Sequence, residues 1–379
     1  MTGSAIEVDS VLLKVASRCN IDCSYCYVYN MGDDGWRDMP ALMSDATIHA
    51  VCDALDTLRQ DQQRCFAVVL HRGEPLMMGA RRLEHMLRSL RRVLPEGANP
   101  LSLQTNGVLI TRDILDICAK YATSLSVSLD GPRPINDQFR IGKRGEGTHD
   151  DAVRGIRSLR DHPESSALFS GVLAVINPLS SPQEVYHYLK GLGAPSIDFL
   201  YRDGNHTTLP FGKASFASTE YAQWLVEVLD VYLGDPAPPR IRFLDDLIKL
   251  CLGGRGIKEG SGQVDFGIAI IDSDGSITKN DTLKSTYNGG DRFRRTVSVH
   301  THRLSEVFAS QEFKEYFAIQ RPTSPACRGC SDLAICGGGM PLHRWRDGSG
   351  FDNPSIYCAD QRYLISAIRH RLQRAGLSS

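Results

Sequence analysis

At 379 residues the chain exceeds one ordinary domain, so a large domain with a smaller companion is expected. A composition of 42% hydrophobic and 23% charged residues with a formal net charge of −1 is that of a globular enzyme, and it carries no basic footprint for nucleic acid. No apolar run is long enough to span a membrane, the N-terminal MTGSAIEVDS lacks the basic start and apolar core of a secretory signal, and eleven cysteines in such a chain argue for reduced thiols and metal in the cytoplasm.

The first apolar run, Val11 to Ala16, predicts a strand that feeds the loop Cys19-x3-Cys23-x2-Cys26. Three thiolates this close complete a zinc site only if a distant fourth ligand joins them. They can also hold three irons of a 4Fe–4S cube and leave the fourth iron open to a small molecule. Beyond the loop, Ser44 is placed to cap a helix to about Arg59, with Ile48, Val51, Leu55 and Leu58 on one face. Strand Phe66–Leu70, helix Arg81–Val93, strand 101–103, helix Thr111–Lys120, strand Leu125–Leu129 and helix Asp150–Arg160 follow. Strand Leu168–Ile176, helix Pro182–Leu192 and strand Ile197–Tyr201 complete the series. Alternation at this spacing means βαβ units and a parallel sheet, and six right-handed units suit an incomplete (β/α)6, TIM-like barrel whose chemistry gathers at the C-terminal strand ends.

The strand ends carry the unusual residues. The second ends in His71-Arg72-Gly73-Glu74-Pro75, the third in Gln104-Thr105-Asn106-Gly107, and the fourth in Ser128-Leu129-Asp130-Gly131-Pro132. The fifth ends in Val175-Ile176-Asn177-Pro178, and Tyr201 and Arg202 close the sixth. Asn-Gly and Asp-Gly-Pro are also ordinary turn chemistry.

After residue 203 the rhythm breaks. A polar stretch over 205–217, helices Tyr221–Leu233 and Arg242–Leu252, and a glycine loop to Gly262 lead to a hairpin, Ile268–Ile271 and Ser276–Thr278, turned at Asp274-Gly275. The loop is no phosphate loop, because no Gly-Lys-Ser/Thr follows it. Near the C-terminus Cys327-x2-Cys330-x5-Cys336 is joined by Cys358; four thiolates saturate either a zinc ion or a second 4Fe–4S cluster. Cys52, Cys65, Cys118 and Cys251 read as buried core thiols. The arginines of the helix at 81–92 read as a solvated outer face, with a place for an acidic leader peptide as the alternative.

The cysteine loop, followed by Gly73-Glu74-Pro75 after the next strand, resembles radical S-adenosylmethionine (SAM) enzymes, and the second cysteine group resembles their C-terminal SPASM extension, in particular that of cyclophane-forming peptide maturases. The resemblance covers nearly the whole chain. It implies a SAM-binding 4Fe–4S cluster on Cys19, Cys23 and Cys26, one auxiliary 4Fe–4S cluster on Cys327, Cys330, Cys336 and Cys358, and SAM itself. Tyr25, Gly73, Glu74, Gln104, Asn106, Ser128 and Val175 would then line the SAM site, and Asp281 would take a proton from the oxidised substrate. Arg72 departs from the usual Gly-Gly-Glu-Pro, and Met340 and Asn280 stand where an inner auxiliary cluster would need cysteines, so that cluster is expected to be missing.

Implied domains are a barrel over 1–203, a helical bridge over 204–262 and an auxiliary-cluster domain over 263–379. The expected function is modification of a ribosomally made precursor peptide bearing a leader: a 5′-deoxyadenosyl radical abstracts a side-chain hydrogen, giving a cyclophane crosslink. A reductant such as flavodoxin or ferredoxin would be the other partner. Thioether formation or sulfatase-type oxidation would need the same core. A non-catalytic zinc or Fe–S protein is the reading from another class, and a peptide-binding scaffold with a dead SAM site a third.

Overall fold

The computed structural model describes residues 6–62, 64–257, 259–264 and 266–377. Met1–Ala5, half of the stretch inspected for a signal, lie outside the described residues. The chain divides into two compact units that cut across chain order. The first unites Met1–Leu129, Asn136–Gly171 and Gly267–Phe317; the second unites Asp130–Ile135, Val172–Phe266 and Ala318–Ser379.

The first unit opens with β1 (Ser10–Lys14), α1 (Asp45–Asp61), β2 (Ala67–His71), α2 (Gly79–Val93), β3 (Leu101–Thr105), α3 (Arg112–Lys120) and β4 (Thr123–Ser128). These strands pair in parallel, each with the next. The helices form where expected because caps and stripes agree: Ser44 accepts from the Thr47 amide at the start of α1, and Ile48, Val51, Leu55 and Leu58 are buried along it. Thr111 caps α3 in the same way.

In the second unit β5 (Phe169–Val175), from Val172 onward, pairs in parallel with β6 (Ser196–Leu200), which pairs with the two-residue β7 (Arg240–Ile241). The C-terminal helix Cys358–Arg374 packs on helices Glu220–Gly234 and Arg242–Cys251. A fully buried ion pair, Lys213 Nζ to Asp360 at 2.6 Å, pins that helix, and Asp360 also accepts from the Ala222 amide at 2.9 Å.

The hairpin β8 (Ile268–Ile271) and β9 (Ile277–Thr278) forms as expected, but it has a second partner. β8 runs parallel to β1, Ser10 opposite Ile268 through Leu13 opposite Ile271, so the hairpin belongs to the first unit. Cys52, Cys118 and Cys251 are buried as expected; Cys65 is not, and lies exposed in the coil before β2. Among the described residues no helix is long and apolar enough to cross a membrane.

Candidate active site

The strand ends of the first unit converge on the cysteine loop. Gly73, at φ +55°, lies so close to the loop that a Cβ there would come within 2.3 Å of the Arg18 carbonyl oxygen and 2.4 Å of that of Ala16. Only glycine permits that approach. The next amide, Glu74 N–H, donates to Arg18 O at 2.9 Å. The Glu74 carboxylate, 1% exposed, accepts from Leu76 N (3.0 Å), Thr105 Oγ1 (2.7 Å) and Asn106 N (2.8 Å), tying β2 to β3. Burial pushes its carboxyl above the ordinary value, against the pull of these donors. Asn106 Nδ2 in turn donates to Cys19 Sγ at 3.8 Å and to Asn20 Oδ1 at 2.8 Å.

Cys23 is buried and Cys19 and Cys26 half-buried. Burial pushes the Cys19 thiol up to about 12, with Glu74, Cys23 and Cys26 adding to the rise. Cys26 is also raised by burial, while Arg72 and Arg140 pull it down. Tyr25, in the loop, accepts at its hydroxyl from Arg140 Nη1 at 3.0 Å. Gln104 Nε2 donates to Ser128 Oγ at 2.9 Å, joining the ends of β3 and β4. In the second unit the Val175 amide donates to Asp130 Oδ1 at 2.9 Å, which gives Asp130 a structural task.

Asp281 is 1% exposed and pairs with two cations, Lys14 Nζ at 2.7 Å and the Arg72 guanidinium. Lys14 also meets Asp272 at 2.6 Å. Burial works against the Asp272 charge, and Lys14, the Ser273 amide and Lys284 together more than offset it, leaving the carboxyl below its ordinary value. Nearby, Lys284 bridges Asp33 (3.0 Å) and Asp291 (3.1 Å). Lys14, Arg72, Asp272, Lys284 and Asp291, with Trp36, line a cavity of about 260 Å³. Arg72 Nη1 and Trp36 Nε1 are enclosed and make no hydrogen bond among the described residues. Sequence reasoning singled out Asp281 and Arg72 separately but missed that they share a network; a further visible signal is Lys14, a charge inside an apolar strand run.

Arg72 has φ +70°, and holding a non-glycine residue in that region costs about 1–2 kcal/mol. Its guanidinium carbon sits 4.2 Å above the centre of the Tyr27 ring.

The four cysteines of the second group all lie in the second unit. Cys336 is pushed up to about 12 by burial, with Cys358, Cys327 and Cys330 adding their charges. Among them stands Arg344, 1% exposed, which donates to Ile319 O and Gln320 O. Burial lowers it to about 10, countered by Cys327 and Cys336, and its Nε has no hydrogen-bond partner among the described residues. Gly337, at φ +67°, turns the chain after Cys336 where a Cβ would meet Gly262 O at 2.0 Å. Met340 packs on Gly260, whose added Cβ would lie 2.9 Å from its sulfur, and Asn280 caps a 3-10 turn by accepting from Thr282 N at 2.9 Å. Neither position offers a thiolate.

The thiols of each cysteine group sense one another's charge, which fits ligands that share one cluster. Arg344, a buried cation that senses the Cys327 and Cys336 thiols, fits an anionic group beside them.

Residues 13–176 match the radical SAM superfamily. The cysteine-type anaerobic sulfatase-maturating enzyme of Clostridium novyi is 22% identical over 361 residues, covering 92% of each chain. The serine-type enzyme of Bacteroides thetaiotaomicron is 21% identical over 357 residues, covering 88% of this chain and 83% of its own. Among solved structures, native anSMEcpe with bound AdoMet superposes with a TM-score of 0.81 at 20% identity, over 97% of this chain and 98% of that one. Streptococcus suis SuiB bound to its precursor peptide SuiA gives 0.65 at 14% identity, over 93% and 76%. The fold is therefore the radical SAM fold, an α/β architecture on a mainly parallel sheet.

Proposed function

We propose that this chain, whose residues 13–176 match the radical SAM superfamily, is an enzyme that oxidises a side chain of a peptide by removing hydrogen. The observation that carries this reading is the single network joining Cys19, Arg18, Glu74 and Asn106 at the ends of β1, β2 and β3. When bound, the cluster and SAM supply a 5′-deoxyadenosyl radical that takes one hydrogen atom from the substrate. Cys19, Cys23 and Cys26 would hold that cluster. Glu74 keeps the strand ends rigid around the SAM site, and Gln104 and Ser128 present a shared polar edge toward it. After the hydrogen atom and one electron leave, one proton remains to be placed. Asp281 is the proposed acceptor, paired with Lys14 and Arg72.

In the finer reading the substrate is a precursor peptide, the hydrogen comes from a β-carbon and the product is a cyclophane crosslink; the complex of SuiB with SuiA supports a peptide substrate. The second reading, oxidation of a single serine or cysteine in a sulfatase, is supported by the sulfatase-maturating relatives that match over most of their length. An external one-electron reductant serves either. Residues 327, 330, 336 and 358 would hold one auxiliary cluster, which receives the electron or stabilises the second unit.

The test is anaerobic reconstitution followed by incubation with SAM, reductant and the peptide encoded beside the gene. About eight irons per chain and formation of 5′-deoxyadenosine support the enzyme reading, and about twelve irons would restore the inner cluster. Loss of two hydrogens with fragmentation blocked between two residues indicates a crosslink, whereas a change confined to one serine or cysteine indicates sulfatase-type chemistry. Zinc in place of iron sinks both.

A further inference from the structure

We propose that Arg72 sets the reduction potential of the cluster on Cys19, Cys23 and Cys26, holding it higher than the loop alone would allow. The inference rests on the cluster reading above and extends it to a residue that the usual motif does not contain. Arg72 occupies a left-handed backbone position, φ +70°, in the place where the resembled family usually has glycine. A strained arginine there calls for an interaction that only its side chain can make.

The guanidinium has two placements at once. One face lies over Tyr27, 4.2 Å from the ring centre, and Tyr27 directly follows the ligand Cys26. Its Nε meets the Asp281 carboxylate, which Arg72 shares with Lys14. The side chain is 4% exposed, so neither water nor salt screens its charge effectively, and it lies over the residue that follows the ligand Cys26. The surrounding floor holds Lys14 and Lys284 against Asp33, Asp272, Asp281 and Asp291. Without Arg72 that floor would set four carboxylates against two ammonium groups and the half-exposed Arg292 guanidinium, 4.0 Å from Asp33. Arginine suits the task because it stays protonated even when buried, and because its flat cation stacks on an aromatic ring.

One-electron reduction adds one negative charge to the cluster and makes or breaks no bond; the electron comes from an external low-potential donor. A fixed buried cation favours the reduced state and so raises the potential. Arg72 is thus a positioning residue for charge, acting through the loop rather than on substrate.

The experiment is a redox titration followed by electron paramagnetic resonance on the reconstituted full chain, reading the Fe–S signal that changes when SAM is added. Iron content is measured in parallel for Arg72→Gln, Arg72→Gly and Arg72→Lys. The proposal expects the Gln and Gly variants to load normal iron and to shift the midpoint to lower potential, while Lys stays near the parent. Midpoints of Gln, Gly and Lys that all coincide with the parent at full iron would overturn it. If the Arg72 variants lose iron, Arg72→Gln/Asp281→Asn is compared with Asp281→Asn: a lower midpoint in the double variant is expected, and equal midpoints overturn the proposal. Absence of any SAM-responsive Fe–S signal in the parent chain sinks the cluster reading itself, and this inference with it.

Discussion

Both oxygens of Glu74 are engaged by donors, two from main-chain amides and one from the Thr105 hydroxyl. Glu74→Gln would turn an NH2 group toward at least one of them, and the expected loss is about 1–3 kcal/mol of stability, read by denaturant unfolding of the apoprotein. His343 gives a pH signature. It is 5% exposed, its ring packs edge-on against Tyr357, and burial with the neighbouring Arg344 charge pulls it down to about 3. An unfolded imidazole titrates near 6.5, so as pH falls below about 6.5 the unfolded chain takes up a proton that the native one refuses. Stability is complete above that pH and declines toward about 3, by up to about 1.4 kcal/mol per pH unit from this residue. His343→Phe should flatten that part of the acid limb in unfolding experiments across pH 4–6. The identities of these residues were legible in the sequence, but their partners were not. Asp281 reads as a proton acceptor through the resemblance alone, and nothing near it in the chain announces Lys14, more than 260 positions earlier, as its counter-ion. Arg72 was visible only as a departure from a motif.

The alternation of buried strands with capped, striped helices was readable because each signal is local. Ser44 and Thr111 accept from amides three residues on, and the strand runs pack as expected. Ser44→Ala should cost about 1 kcal/mol, seen as a lower melting temperature without a change in cofactor content. Gly73 has a different kind of consequence. Gly73→Ala sets a methyl group against two carbonyl oxygens of the cysteine loop, so loop and β2 must part. The expected outcome is a large fall in iron bound at the first cluster, measured against iron retained by the second. Pairing of β8 with β1 was not legible, since the hairpin pattern accounts for β8 by its antiparallel neighbour alone and carries no mark of a parallel partner. The exposure of Cys65 was missed for a related reason: a cysteine at the start of an apolar run reads as core until the strand's true beginning, at Ala67, is known.

At the scale of the whole molecule, the two cysteine groups fall in different compact units. Replacing Cys19, Cys23 and Cys26 by alanine should therefore remove about four irons and abolish deoxyadenosine formation while leaving the second cluster's absorbance intact. The first unit is discontinuous in sequence, and that has a bearing on its synthesis. Lys14 emerges early from the ribosome, but Asp272 and Asp281, which neutralise it, and β8, which covers the free edge of β1, are made more than 250 residues later. Until then a strand edge and two buried-to-be cations, Lys14 and Arg72, stand without their counterparts. The nascent barrel must wait for them, and contacts this distant close slowly. A chain ended at residue 203 would be left permanently at that stage, so the barrel cannot be harvested as a free-standing module. Its expression should yield aggregate, where a chain continued to Phe317 regains the missing strand and both carboxylates.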